Sequence, residues 1–322
     1  DVEFPLPSLE VTPLVAVAEV RTFWATYWSR DHALAHEVRS AMHELRQLAV
    51  ATEPLPAPCA VEMRRGLATL KKDTATSTDV WSPAELESLP DEGLVALGRV
   101  FRSIEVVLAL PIQVLIAIMA LLAKPLGGFR TIALLGMVYR LWARVRKWPV
   151  AEWEDGFVGH WDTAVRGSSA LRAAVARAFA AEYAVALGAT AATVYWDIEK
   201  FYDSVALDLL IPEAVRFGYP PRLLYVTLLA HLGPRRLRLA GCLSEEVWPS
   251  ASLAAGCGRA NTLARVVLYA VLDEAHKQLP LKAALFSAKQ FVDDVTTSFV
   301  GVPRVVAAAV ACAGGFVVAR LQ

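Results

Sequence analysis

The sequence predicts a mixed α+β chain. Long stretches carry apolar residues at helical spacing, short β-prone runs are bounded by glycine and proline, and acids stand at the ends of those runs. With 322 residues and 56% hydrophobic composition, there is material for one sizeable core with an appended helical region. The 32 basic residues balance 32 acidic ones, which excludes a generally polycationic nucleic-acid binder but leaves room for a locally basic groove. Cys59, Cys242, Cys257 and Cys312 lie far apart with no CxxC pair, against a zinc ribbon or a secreted disulfide scaffold and in keeping with a reducing, intracellular compartment. The first residue is Asp1 and no basic-then-apolar leader follows, so no secretory signal is expected and the sequence reads as cut from something longer.

Taken in order, residues 13–52 have helical spacing and end at the proline-rich TEPLPAPC, giving an N-terminal helical extension over 1–60. His32 and His36 are four apart there, yet no acidic partner accompanies them, so they read as part of a solvated face. Helical spacing returns at 61–72. Ser82-Pro-Ala-Glu85 opens a further helix with a capping box. Residues 104–123, IEVVLALPIQVLIAIMALLA, are apolar enough to pass for a membrane span, but Glu105, Pro111 and Gln113 interrupt them. A helix end followed by a buried strand is expected instead, and no membrane as a partner. VLIAIMALLA, KPLGG and FRTIALLG then read as strand, turn and strand, GMVYRLWARVRKW as a helix, and 168–187 as an alanine-rich helix. The run 193–196 is β-prone and ends in Asp197. After helices near 206–230, RRLRLAG leads to AAGCGRANTLARVVLYAVLDEA, a glycine-bounded loop feeding a helix.

The most informative stretch is AKQFVDDVTTSFVG over 288–301, where Asp293 and Asp294 interrupt residues that favour a strand. Alternation sends neighbouring strand side chains to opposite faces, so both acids cannot rest on one solvated face. Taken alone, the stretch fits a hairpin turn in solvent. It also fits a pair of carboxylates holding a hard divalent cation, which would relieve their repulsion and would need a third carboxylate from elsewhere. TVYWDIEKFYDSV over 193–205 supplies one: Asp197 follows a strand, with Phe201 and Tyr202 four and five residues later.

With these two motifs the chain resembles the reverse transcriptases of the non-long-terminal-repeat retrotransposon and group II intron types. DIEKFYDSV is similar to the family's first palm motif and FVDD to its aromatic-x-Asp-Asp hairpin. KPLGGFRTIALL resembles the fingers hairpin, MVYRLWARV the Tyr-Arg-Leu-Trp helix after it, and EDGFVGHWDTAVRGSSA the loop and helix that introduce the first palm motif. The resemblance runs from about residue 61 onward and implies a right-hand polymerase fold, with helical and hairpin fingers over 61–190 and an antiparallel palm sheet over 191–322. The thumb would lie beyond Gln322. The second palm motif departs from the pattern: Gly256-Cys-Gly-Arg-Ala260 stands where Gly-x-x-Gln-Gly is usual, with Arg259 in the place of glutamine, and Ala264-Arg265 replaces Ser-Pro.

The resemblance implies two Mg²⁺ ions, with Mn²⁺ as the substitute, held by Asp197 and Asp293 with Asp294 as the weaker ligand and Ile198 beside them. It assigns Lys124, Arg130, Ile198, Tyr202, Gly256 and Arg259 to the nucleotide, with Tyr202 as a steric gate against a ribose 2′-hydroxyl. The implied partners are an RNA template, a DNA primer and deoxynucleoside triphosphates, in a nucleus if the element is active. Asp203 reads as structural, capping the helix that begins near Val205 in competition with Ser204. The clusters Arg140/Arg144/Arg146/Lys147 and Arg235/Arg236/Arg238 suit either template phosphates or a solvated face. Two other readings stand beside this one. The altered loop fits a catalytically decayed relative that still binds nucleic acid, whereas Tyr202 and Phe291 disfavour an RNA-copying RNA polymerase.

Overall fold

A computed structural model describes residues 12–29, 32–125, 128–157, 159, 161–165, 167–278, 284–292 and 294–321. The first part of the chain forms α1 (Pro13–Trp28), α2 (His32–Ala51), α3 (Ala60–Leu67), α4 (Pro83–Glu87), α5 (Asp91–Val107), α6 (Ile112–Leu115), β1 (Ala117–Ala123) and β2 (Phe129–Leu134). Then come α7 (Met137–Val145), α8 (Lys147–Phe157), α9 (Ala170–Ala186), β3 (Thr190–Trp196), α10 (Phe201–Ser204), α11 (Leu207–Arg216) and α12 (Pro221–His231). The remainder is β4 (Arg235–Leu239), β5 (Cys242–Leu243), α13 (Ala260–Gln278), β6 (Ala284–Phe291), β7 (Asp294–Gly301) and α14 (Pro303–Leu321). The α+β class expected from the sequence is what forms. Two compact units share the chain, one from 1–153 and 202–260, the other from 154–201 and 261–322. Each takes residues from more than one of the three segments read from the sequence.

In the first unit, the membrane-like run resolves as expected into a helix end and a strand. α5 stops at Leu108 in the left-handed conformation (φ 56°), α6 makes one turn, and β1 enters a four-stranded sheet of order β2-β1-β4-β5. β1 is antiparallel to β2, pairing Ile118 with Leu134 and Ala123 with Phe129, and parallel to β4, pairing Ala117 with Arg235. Among the described residues no helix is long and apolar enough to cross a membrane. The single helix expected over 136–148 is two helices. Pro149 in the first turn of α8 has no N–H to give the carbonyl of Val145, so the turn breaks at Arg146.

Buried charge holds this unit together. Glu105 is fully buried and accepts from Trp142 Nε1 (2.9 Å) and from Arg146 Nε (2.7 Å) and Nη2 (3.1 Å). Asp203, also buried, accepts the Trp28 indole N–H at 2.7 Å; it is structural as expected, and the N-cap of the helix that follows is Ala206, which makes no side-chain cap. Arg235 lies 4.8 Å from the Trp28 ring and donates to Ser252 Oγ and to the carbonyl of His231. Arg146 and Arg235 are thus interior, so neither cluster of basic residues faces solvent whole; Arg144, Lys147 and Arg238 are the exposed members.

The second unit is built on a three-stranded antiparallel sheet of order β3-β7-β6. One face carries Ala192, Val194, Phe286 and Phe299 and packs on Ala275 of α13 and on Val306, Ala309 and Ala313 of α14. Alternation gives the other face to Thr193, Tyr195, Thr296, Ser298, Ser287 and Lys289. α9, started by Ser169 accepting the Arg172 N–H at 3.2 Å, lines clefts over that polar face with its small residues.

Two outcomes follow for stability. Glu105→Ala leaves the Arg146 guanidinium buried without its carboxylate and is expected to cost about 3–5 kcal/mol, read from the urea midpoint. Burial, with the nearby Arg235 charge, pushes His231 from 6.5 down to about 3. Its folded value lies below the unfolded one, so protons favour the unfolded chain. Stability is therefore full above about pH 6.5 and falls as the pH drops towards 3, by at most about 1.4 kcal/mol per unit. His231→Asn, which keeps an acceptor for the Ala254 N–H, should flatten that slope in urea titrations run across this range.

Candidate functional site

In the second unit the register of β3 on β7 decides the site. Trp196 pairs with Val295 as the last rung of the ladder; Asp197 follows that rung on one side, and Asp294 precedes Val295 on the other. Alternation puts Asp294, which pairs with Phe291, on the face of Lys289, and directs Asp197, two residues after Tyr195, to that side of the sheet, where both carboxylates line one cleft. Both are exposed. On the reverse face the Trp196 indole donates to Thr297 Oγ1 at 3.1 Å, fixing the last rung before Asp197. Asp293 lies outside the described residues. Ile198, half-buried, follows Asp197 directly.

A cleft of about 380 Å³ opens beside the pair, lined by Asp197, Asp294, Phe291, Lys289 and Arg177 among others. Arg177 stands 4.9 Å from the Tyr195 ring and donates to Thr296 Oγ1 at 3.5 Å. A second cleft of about 330 Å³ shares Thr163, Ala173, Arg177 and Lys289 with the first. Two carboxylates at a cleft with cationic side chains suit a hard divalent cation and an anionic group together. Among the described residues, no three His, Cys, Asp or Glu gather closely enough to hold a metal ion by themselves.

The hairpin carrying Asp294 is tight. Phe291 pairs with Asp294, and the residue after Phe291, Val292, has φ 60°. A β-branched residue rarely enters the left-handed region. Lys200, three residues after Asp197, is also left-handed (φ 46°). Strain of this kind flanks both carboxylates.

The remaining predicted residues fall in the first unit. Lys124 donates its main-chain N–H to the carbonyl of Gly128 at 3.0 Å, closing the β1–β2 hairpin, and Arg130 pairs with Leu122. Alternation therefore directs both exposed cations to one side of the hairpin end. Tyr202 is half-buried, and its carbonyl accepts from Leu253 N (2.7 Å) while that of Val205 accepts from Ser252 N (2.8 Å). The loop so aligned continues to Gly256, where Ala133 N donates to the Ala255 carbonyl at 2.6 Å. Gly256 has φ 106°, and a Cβ there would come within 2.8 Å of the Ala133 carbonyl oxygen. The strand of Arg130, the Gly256 loop and the Tyr202 segment are thus joined.

Arg259, grouped with the nucleotide residues on resemblance, turns inward instead. It is buried, donates to the carbonyls of Arg146 (2.8 Å) and Ala143 (3.4 Å), and lies 5.1 Å from the Trp142 ring. Ala143 lies in the last turn of α7 and Arg146 is its C-cap, so the guanidinium binds at the C-terminal end of that helix. Sequence reasoning missed Arg177, Lys289 and Gln290. The alternation in AKQF does place Lys289 on the face of Phe291, but nothing local marks Arg177 as its neighbour.

The chain matches no family model and no curated protein. Gly256→Ala is expected to destabilise the first unit by about 1–3 kcal/mol, through both the contact and the backbone conformation. Thermal denaturation of the variant would show it.

Proposed function

We propose that the chain is an RNA-directed DNA polymerase of a mobile element, built on the right-hand polymerase plan with β3-β7-β6 as its palm sheet and the β1–β2 hairpin in its fingers. The observation that carries the reading is that Asp197 and Asp294, at the two sides of the last Trp196–Val295 rung, line one open cleft. The order of motifs in the sequence supports it.

In the proposed reaction a primer 3′-hydroxyl oxygen bonds to the α-phosphorus of a deoxynucleoside triphosphate, the bond to the β-phosphate oxygen breaks, and pyrophosphate leaves. The donor set fits the implied metal, since Asp197 and Asp294 offer hard, exposed carboxylate oxygens, with Asp293 as the third carboxylate of the motif. Mg²⁺ held by these carboxylates would supply charge neutralisation and a more acidic primer hydroxyl. The chain's own residues do the rest. Asp197 and Asp294 fix where positive charge sits, Lys124 and Arg130 present two cations on one hairpin face for a triphosphate, and Tyr202 excludes a 2′-hydroxyl by shape. Template and primer are RNA and DNA, and an active element would work in a nucleus.

A second reading, a nucleic-acid binder without catalysis, is favoured by one observation. Arg259, in the place of the family's glutamine, is spent on the end of α7.

Primer extension on an RNA template separates the two. Wild type should incorporate deoxynucleotides with Mg²⁺. Asp197→Asn and Asp294→Asn should each lose about 100-fold or more, the scale of several kcal/mol of charge stabilisation. Tyr202→Ala should bring ribonucleotide use to within about 100-fold of deoxynucleotide use. A wild-type chain that binds primer and template but extends nothing would establish the second reading.

A further inference from the structure

The turn that presents Asp294 is one the local sequence would not choose. Two-residue hairpin connections favour glycine, asparagine or aspartate where φ is positive, and here Val292 occupies such a position at φ 60°. Something outside the turn must hold it.

Gln290 is in place to do so. Its side chain is fully buried, and Nε2 donates to the Val292 carbonyl at 2.8 Å. The partner is a carbonyl, so the amide nitrogen must face it, and among the described residues the buried Oε1 has no partner. The main chain of Gln290 is clamped as well. Its N–H donates to the Trp161 carbonyl (2.8 Å), and its carbonyl accepts from Thr163 N (2.8 Å) and Thr163 Oγ1 (2.6 Å). These bonds form a parallel bridge between Gln290 and Asp162.

Asp162 is itself fixed from α13. Its Oδ2 accepts from the Tyr269 hydroxyl (2.7 Å) and lies 3.3 Å from Arg265 Nη1, while Oδ1 accepts from Ala164 N (2.8 Å). Burial raises Tyr269, keeping it a phenol that donates. Arg265 also donates to the Ala164 carbonyl (3.0 Å) and pairs with Glu154, which accepts from Thr262 Oγ1 at 2.7 Å. α13 thus grips the 161–164 segment at both ends, and that segment grips Gln290.

We propose that Gln290 is a positioning residue for the carboxylate site: locked by Asp162, Tyr269 and Arg265, it holds Val292 in its strained conformation and so fixes Asp294 in the cleft it shares with Asp197. The proposal rests on the reading of those carboxylates as metal ligands. α13, whose first turns hold Thr262 and Arg265, thereby sets the geometry of a site it does not line.

The test uses Gln290→Met, which keeps the bulk and removes the amide, the double variant Gln290→Met/Val292→Gly, and Asp162→Asn. Hydrogen exchange over 290–296, Mn²⁺ binding followed by electron paramagnetic resonance, and primer extension are measured on each. Gln290→Met should speed exchange at least tenfold, weaken Mn²⁺ binding about tenfold and lower kcat with KM for the nucleotide unchanged. Val292→Gly should restore all three, because glycine takes a positive φ without strain. Asp162→Asn should move them the same way by less, and decides the matter should Gln290→Met fail to fold. Unchanged exchange, or faster exchange with Mn²⁺ affinity intact, overturns the proposal, as does a double variant no better than the single one. A wild type that binds Mn²⁺ but incorporates nothing, with the variants still weakening the ion, leaves the positioning role standing and removes the polymerase reading. No Mn²⁺ bound by the wild type removes both.

Discussion

The register of β3 against β7 is the constraint on which the second unit depends. With Trp196 opposite Val295, every even-numbered residue of β3 points to α13 and α14 and every odd-numbered one to the open face. A slip of β3 by one residue would send Ala192 and Val194 to the open face and Asp197 towards the apolar layer. Burial of Phe299, Ala309 and Ala313 therefore protects the register, and the register places the carboxylates. Core packing and candidate chemistry are two sides of one sheet.

The arginines show how a chain with balanced charges spends its positive ones. Arg146 is committed to Glu105, Arg259 to the last carbonyls of α7, Arg222 to the carbonyls of Thr52 and Glu105, and Arg265 to Glu154 and Asp162. Each closes a helix or loop end that would otherwise bury an unsatisfied group. A planar fork with five donors can do this where lysine cannot. Other cations, Lys124 and Arg130 among them, stay on exposed surfaces.

Strain is placed with similar economy. Of the described non-glycine residues with positive φ, Lys200 and Val292 flank the carboxylates, and Ser252 lies in the loop aligned with Tyr202. Such conformations persist only where the surroundings over-determine them. At Ser252 the hydroxyl is held by Arg235, and at Val292 the carbonyl is held by Gln290.

Much of this was legible in the sequence, for reasons of range. Periodicity marked the helices and strands, Glu105, Pro111 and Gln113 argued against a membrane span in 104–123, and alternation showed that VDD cannot bury or expose both acids alike. All are properties of residues a few positions apart. What only the tertiary structure decided involves partners distant in sequence. That Arg146 and Arg235 are interior, that Arg259 serves α7 rather than a ligand, and that Gln290 answers to Asp162 depends on contacts spanning 17 to 128 positions or more. A charged side chain carries no local mark of whether it will meet water or a buried carbonyl. The composition of neighbouring positions is the same in either case, and only the packed chain supplies the partner that makes burial of an arginine affordable.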